Sequence, residues 1–296
     1  MTNRHSVSSV HALPYKPLLR PRQKPSTVPL ASSKTRLKGI YITSGLAVYA
    51  LTAYAVYLYR TLNAESPSSP APDTDVSARY DSTAPHFDAD VSFVERFAGI
   101  NRRRKRLVSQ ANGDVLEVCA GTGRNALWYD VGKLKSITFL DQSGPMLEIA
   151  QKKWQTLHPE FRRVKFHTQS VMSNLPDVDV PENGFKTIVQ TMGICSTSNP
   201  HLALARLGTL ANPTDGKILL LEHGRSHYNW VNWILDKSAA RHAEKHGCWY
   251  NRDIGEIVEK SGLRIEKVER SPWQFGTLWY IEARPPLKKL KPKSKE

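Results

Sequence analysis

Residues 115–141, VLEVCAGTGRNALWYDVGKLKSITFLD, hold the side chains whose types and spacing best suit ligand chemistry. An apolar run from Val115 to Val118 carries a single acid, Glu117, and breaks into Gly121-Thr122-Gly123. Glycines in such a turn let backbone N–H groups approach a ligand, because no Cβ stands in the way. A second apolar run, Ile137 to Leu140, closes on Asp141. An acid at the end of the second strand can accept two hydrogen bonds from ribose hydroxyls, so the pattern points to a nucleoside-bearing ligand. It is not the dinucleotide fingerprint: Ala126 stands at the third glycine position. Glu117 would repel a pyrophosphate and would suit an ammonium group, directly or through water.

The elements that must position these groups are legible as alternating apolar runs and helical patterns. Strands are expected at 115–118, 136–140, 164–167, 185–190, 217–221, 263–269 and 276–284. Helices are expected from about Val91 to Gln110, from about Asn125, at 144–154, and near 228–246 and 251–261. This alternation predicts an α/β domain with a mainly parallel sheet and helices on both faces. The ligand should lie across the carboxyl ends of the strands. Gln142 and Met146 after the second strand, Ser170 and Val171 after the third, and Gln190 ending the fourth then join Glu117, Cys119, Gly121, Gly123 and Asp141 as candidate cofactor contacts. Candidate reacting groups follow strands four and five: Thr191, Met192, Cys195, Glu222, His223, Arg225 and His227. His223 is the candidate base by type and location, since its unperturbed pKa lies near ~6.5. No metal is expected. Cys119, Cys195 and Cys248 are too few and too scattered for a disulfide framework or a zinc site, and His242 and His246 lack a third ligand.

The net charge of +15 suggests nucleic acid, but its distribution argues otherwise. Residues 1–64 hold nine Lys or Arg and no acid, and residues 285–296 hold five Lys and one Glu. That leaves 28 basic and 26 acidic residues in 65–284, a nearly neutral folded part. The basic run Arg102 to Arg106 reads first as a solvated helix face, then as contact with anionic lipid. Nucleic acid is not expected as a partner.

Residues 1–38 are rich in Arg, Lys, Ser and Pro and lack acids, the composition of a mitochondrial targeting segment. Gly39 to Tyr59 follow with 21 residues free of charge, enough to form a transmembrane helix. Lys34, Arg36 and Lys38 precede this span, and Glu65, Asp73 and Asp75 follow it. The positive-inside rule therefore places the amino terminus in the matrix and the domain in the intermembrane space. Residues 60–78 read as a flexible linker, 79–284 as the catalytic domain and 285–296 as a basic disordered tail.

The order Glu117-x-Cys119-x-Gly121-x-Gly123, with Asp141 and the helix S-G-P-M-L-E-I-A, resembles the first motif of class I S-adenosylmethionine-dependent methyltransferases. The resemblance implies a Rossmann-like seven-stranded sheet with S-adenosylmethionine as cofactor, its methionine end in the glycine loop and its ribose on Asp141. Cys119 departs from the family, where glycine is common, and so does Ala120. A Cβ at 119 would crowd the loop if the residue needs positive φ. The wider family often places an acid near Gln169-Ser170 to accept from the adenine amine; here Ser170 or Gln169 would do so as neutral acceptors. The blocks QTMGICSTSNP (190–200), LLLEHGRSHYNWVNWILD (219–236), HAEKHGCWYNRDI (242–254) and FGTLWYIEARP (275–285) are similar to fungal mitochondrial membrane-anchored methyltransferase-like proteins. More loosely, the Cys-Ser, Glu-His and Gly-Cys pairs are similar to animal membrane-anchored thiol methyltransferases. This narrower resemblance implies an inner-membrane location and S-adenosylmethionine binding, with no assigned substrate, and a link to respiratory assembly machinery. The leading expectation is methyl transfer to a small-molecule or membrane-associated acceptor. The alternative reading is a non-catalytic respiratory assembly factor that keeps the fold. RNA methylation, resting on the basic ends and the 102–106 run, comes third.

Overall fold

The computed structural model describes residues 33–63, 78–173 and 179–287. Most of the expected targeting segment, linker and basic tail lie outside the described residues. The chain falls into two units, Met1–Val56 and Tyr57–Glu296. Helix α1 (Ser33–Asn63) is unbroken through the expected span 39–59. Its residues from Tyr41 to Tyr57 are exposed, among them Ile42, Leu46, Val48, Leu51 and Val56. The Thr52 hydroxyl donates to the Val48 carbonyl at 2.9 Å, which satisfies a polar group within an apolar stretch. Among the described residues, no helix is long and apolar enough to cross a membrane.

The second unit is built on a seven-stranded sheet in the order β3-β2-β1-β4-β5-β7-β6. The strands are β1 (Gly113–Val118), β2 (Leu134–Asp141), β3 (Val164–Thr168), β4 (Thr187–Thr191), β5 (Lys217–His223), β6 (Arg264–Arg270) and β7 (Leu278–Arg284). The first five are parallel, and β7 runs antiparallel between β5 and β6. Continuous apolar runs explain the central strands: Ile218 to Leu221 are fully buried, as a strand covered on both faces requires. One face packs α5 (Pro200–Leu210) and α7 (Ile254–Lys260) in a cluster around Leu116, Ile188, Leu204 and Ile281. The other packs α3 (Ile100–Val108) and α4 (Gly144–Leu157) around Leu107, Val115, Phe139, Trp154 and Val189. Trp154 sits edge-on to Tyr129, Phe139 and Phe161, centroids 5.2–6.0 Å away.

Strand order reverses between β1 and β4, which opens a crevice at their carboxyl ends. Register aligns the groups there: Val118 lies opposite Gln190 and Leu140, and Asp141 opposite Thr168. Two side-chain-bearing residues at this rim adopt the left-handed region, Cys119 at φ 53° and Met192 at φ 58°. Each costs roughly 1–2 kcal/mol relative to ordinary backbone, and such strain gathers at ligand sites.

Three local expectations change. The single helix expected over 91–110 is two, α2 (Arg79–Phe97) and α3, separated at Gly99 with φ 70°. The helix expected from Asn125 is only a 3-10 turn, Ala126–Trp128, then a second, Val131–Lys133. Asp130 caps that second turn through the Gly132 N–H, and Tyr129 turns inward to the core, so the local chain is drawn off a helical path. Helix α5 was not expected; Pro200 opens it at a position where a missing N–H costs nothing. Helix α6 (Asn229–His246) runs as expected and ends on left-handed Gly247.

Gly123 ties the glycine loop to α4. It holds φ 71°, and a Cβ placed there would lie 3.0 Å from the Ala150 Cα and Cβ. Gly123→Ala should therefore lower stability by about 2 kcal/mol through backbone strain and overpacking. Urea unfolding checks this as a lower midpoint with an unchanged slope.

Candidate functional site

A cavity of about 360 Å³ lies over the carboxyl ends of β1, β2 and β4. Of the expected cofactor contacts, Glu117, Cys119, Gly121, Asp141, Gln142, Met146, Ser170 and Val171 line it. Gly123 and Gln190 do not: Gly123 shapes the loop from behind, and the Gln190 amide donates to Cys119 Sγ at 3.6 Å. Open space faces the missing Cβ of Gly121, whose φ is 54°. The loop is thus a cradle into which a ligand can press.

Asp141 ends β2 held by the backbone around it. Its Oδ2 accepts from the Gly121 N–H at 2.8 Å and its Oδ1 from the Ser143 N–H at 2.9 Å. Burial raises its pKa, and the hydrogen bonds from Ser143, Gly121 and Gln142 oppose that rise. Each carboxylate oxygen keeps acceptor capacity for a ligand hydroxyl. Ser143 also caps α4, accepting from the Met146 N–H at 3.3 Å, so one short segment orients the acid and starts the helix.

Glu117 is 1% exposed. Its carboxylate accepts from the Tyr129 hydroxyl at 2.6 Å and the Asn125 amide at 3.0 Å. Burial lifts its pKa to about 7, against the opposing pull of the Tyr129 hydrogen bond, the Arg104 charge and the Asn125 hydrogen bond. A carboxylate held this close to neutrality ionises when a cation arrives beside it.

Sequence reasoning missed the part of α2 that precedes Val91. Asp81, Asp88 and Glu95 recur every seven residues on one face of this helix, a spacing that could have flagged it. Asp88 accepts from the Thr122 hydroxyl at 2.6 Å, from Arg124 at 3.0 Å and from Lys153 at 2.6 Å. Burial would raise its pKa, but these hydrogen bonds hold it below the ordinary value. Glu95 pairs with Arg104 at 2.8 Å and Arg124 at 2.7 Å. Tyr80 and Phe87 of the same helix line the cavity. The Tyr80 hydroxyl lies 2.9 Å from Ser196 Oγ and donates to the Gly247 carbonyl at 3.3 Å. Helix α2 is therefore a cover clamped onto the glycine loop by charge.

The 102–106 run is exposed at Arg102, Lys105 and Arg106, as expected of a solvated face, and Arg104 is the exception. It is 3% exposed, and its guanidinium donates to Asn125 at 2.9 Å and to Thr191 at 2.7 Å besides pairing with Glu95. Arg106 pairs with Glu269 and stacks over Tyr280, while Lys105 lies over the Trp128 ring.

His223, the candidate base, does not line the cavity. Its Nε2 lies 3.1 Å from Cys248 Sγ, and Nδ1 is enclosed without a hydrogen-bond partner. Burial lowers its pKa to about 4, so the ring is neutral. Glu222 also faces inward: its carboxylate accepts from the Gly193 and Ile194 N–H groups at 3.1 and 3.2 Å, and burial pushes its pKa well up. Arg225 pairs with Asp236 outside the cavity, and the His227 ring lies tilted against Tyr228, centroids 4.0 Å apart. Among the reacting groups considered, only Thr191 and Met192 line the cavity, with Ser196, Thr197 and Ser198 beside them.

The comparisons agree with this geometry. The methyltransferase domain family matches residues 92–268, from within α2 to within β6. Methyltransferase OMS1, mitochondrial, of Saccharomyces cerevisiae is 39% identical over 226 residues, which cover 72% of this chain and 47% of that protein. The chain thus spans about half the length of this curated relative. The structure of an O-methyltransferase family protein from Burkholderia thailandensis superposes with a TM-score of 0.54 at 14% identity, over 81% of this chain and 70% of that one. The cyclase SpnF superposes at 0.54 with 16% identity, over 74% of this chain and 98% of that one. At these identities the likeness speaks for the fold alone. With its strand order, its glycine loop and the extent of the family match, the chain belongs to the methyltransferase domain family.

Proposed function

We propose that the chain binds S-adenosylmethionine in the cavity over β1, β2 and β4 and transfers its methyl group to a small or membrane-associated acceptor. The observation that carries this reading is the pair of carboxylates, Glu117 and Asp141, on either side of an open glycine cradle. Two acids fit a ligand that is cationic at one end and carries ribose hydroxyls at the other, and they do not fit a pyrophosphate. When bound, the cofactor supplies an electrophilic methyl carbon on a positively charged sulfur. The protein's part is then largely positioning. Asp141 takes the ribose hydroxyls, and Glu117 takes the ammonium end. Met146 and Val171 supply an apolar wall. Tyr80, Phe87 and Met192 with the hydroxyls of Ser196, Thr197 and Ser198 form the side left for the acceptor, and α2 excludes water above it.

The relative's mitochondrial designation and the residue 1–38 composition support a mitochondrial site of action. The exposed apolar side chains of α1 and the uncharged stretch 39–59 support a tether in the inner membrane, with the domain in the intermembrane space. An exposed apolar surface of this kind calls for a non-aqueous cover.

Titration of S-adenosylmethionine into the purified full-length chain by calorimetry tests the reading. Micromolar binding is expected, and Asp141→Ala should weaken it ~10- to 100-fold by removing charge-assisted hydrogen bonds. A folded protein that takes up no cofactor would sink the proposal.

A pH series tests Glu117 separately. Its folded pKa of about 7 lies above the ordinary 4.5, so the neutral form is favoured in the free protein. This group's contribution to stability is therefore present below the ordinary value and is lost as pH rises through about 7. Binding of a cation runs the other way, because only the ionised form attracts it. Affinity for S-adenosylmethionine should rise between about pH 6 and pH 8, with a limiting slope of about tenfold per unit on the acid side. Glu117→Gln should flatten that dependence.

A further inference from the structure

Behind the acceptor side of the cavity, three segments far apart in sequence bring together Cys195, His223 and Cys248. Cys195 sits in the 3-10 turn Ile194–Ser196 after β4, His223 is the last residue of β5, and Cys248 follows the Gly247 cap of α6. The two thiols are buried and free, and the imidazole is partly buried between strand end and loop. Cys248 Sγ lies 3.1 Å from His223 Nε2, and one donor atom from each residue lies within 4.8 Å of the others. In a tetrahedral zinc site with Zn–S near 2.3 Å and Zn–N near 2.0 Å, neighbouring donor atoms stand about 3.5–3.8 Å apart. Small side-chain adjustments bring the three donors to those separations.

We propose that Cys195, His223 and Cys248 form a site for a soft divalent transition ion, zinc by class. Two thiolates and one imidazole exclude calcium and magnesium, which require oxygen donors. Two thiolate charges match a divalent cation, leaving the buried cluster neutral overall. Three protein donors leave the fourth tetrahedral position to water or an exogenous donor.

The surroundings are built to hold these donors in place. The Trp249 N–H donates to the Cys195 carbonyl at 2.9 Å, joining two of the donor-bearing loops. The Glu222 carboxylate gathers the Gly193 and Ile194 N–H groups, which seats the Cys195 turn beside the end of β5. Arg252 donates to the Ile194 carbonyl at 2.6 Å from the other side. Ser196, next to Cys195, lines the cavity and meets Tyr80 of α2. An ion here would fasten the three segments behind that wall of the cavity. The proposal stands independently of which cofactor the cavity takes.

The full-length protein, purified without chelator after expression in zinc-supplemented medium, should carry about one zinc per chain by elemental analysis. Replacement of zinc with cobalt should give thiolate-to-cobalt charge-transfer absorption. His223→Ala and Cys248→Ser, checked for folding by circular dichroism, should lose both the zinc and that absorption. Stripping the wild type with chelator should lower its melting temperature, and zinc should restore it. Wild-type protein that holds less than about a tenth of an equivalent of zinc while its three thiols titrate as free would overturn the site. A Cys195–Cys248 disulfide found by peptide mass mapping of unreduced protein would overturn it as well.

Discussion

The Arg104 guanidinium is the fixed point on which the cavity wall depends. It is buried between Glu95 of α2, Asn125 of the glycine loop and Thr191 at the end of β4. Asn125 in turn donates to Glu117, so one cation links the cover helix, the loop and the buried acid of β1. A buried ion pair of this kind contributes little net stability over an apolar replacement, but breaking it by removing one partner costs about 3–5 kcal/mol. Its value here is positional. Without Arg104, the Glu95 carboxylate would lose one of its two partners, and Glu117 would lose the charge that opposes its neutralisation.

The site also shows how strain and charge divide the work. Strands β1 and β4 are each followed directly by a left-handed residue that carries a side chain, Cys119 and Met192, where glycine would be easier. The sites are coupled: a Cβ at Gly193 would lie 2.6 Å from Cys119 Cβ. The segments after the two strands are therefore packed tightly together, and Cys119 and Met192 both line the cavity. Backbone geometry shapes the crevice, and two carboxylates, Glu117 and Asp141, line it. The likeness to both an O-methyltransferase family protein and a cyclase underlines that this fold alone does not select a reaction.

Much of the sheet was legible from local signals. Val115 to Val118, Ile137 to Leu140 and Ile218 to Leu221 are short, mostly apolar runs of the kind a strand buried on both faces uses, and each lies within a strand. Asp141 was legible because strand ends in this topology converge on one rim, so its place in the chain implies its place in space. The failures have local causes too. Asn125 looks like the start of a helix, yet its side chain is taken by Arg104 and Glu117, and the chain turns instead. The Arg102–Arg106 run looks solvated because nothing in its composition says that Arg104 alone points inward.

What the sequence determined by itself was the fold class and most of the residues that line the cavity over β1, β2 and β4, since both follow from short-range patterns: apolar period, glycine spacing and an acid closing a strand. Tertiary structure alone decided which distant groups meet. Cys195, His223 and Cys248 are spread over more than fifty residues and read as scattered until β4, β5 and the end of α6 converge. The same holds for Asp88 with Thr122, Arg124 and Lys153, and for the withdrawal of His223 from the cavity. Such meetings depend on how the sheet and helices pack, and packing is a property of the whole core that no window of sequence contains.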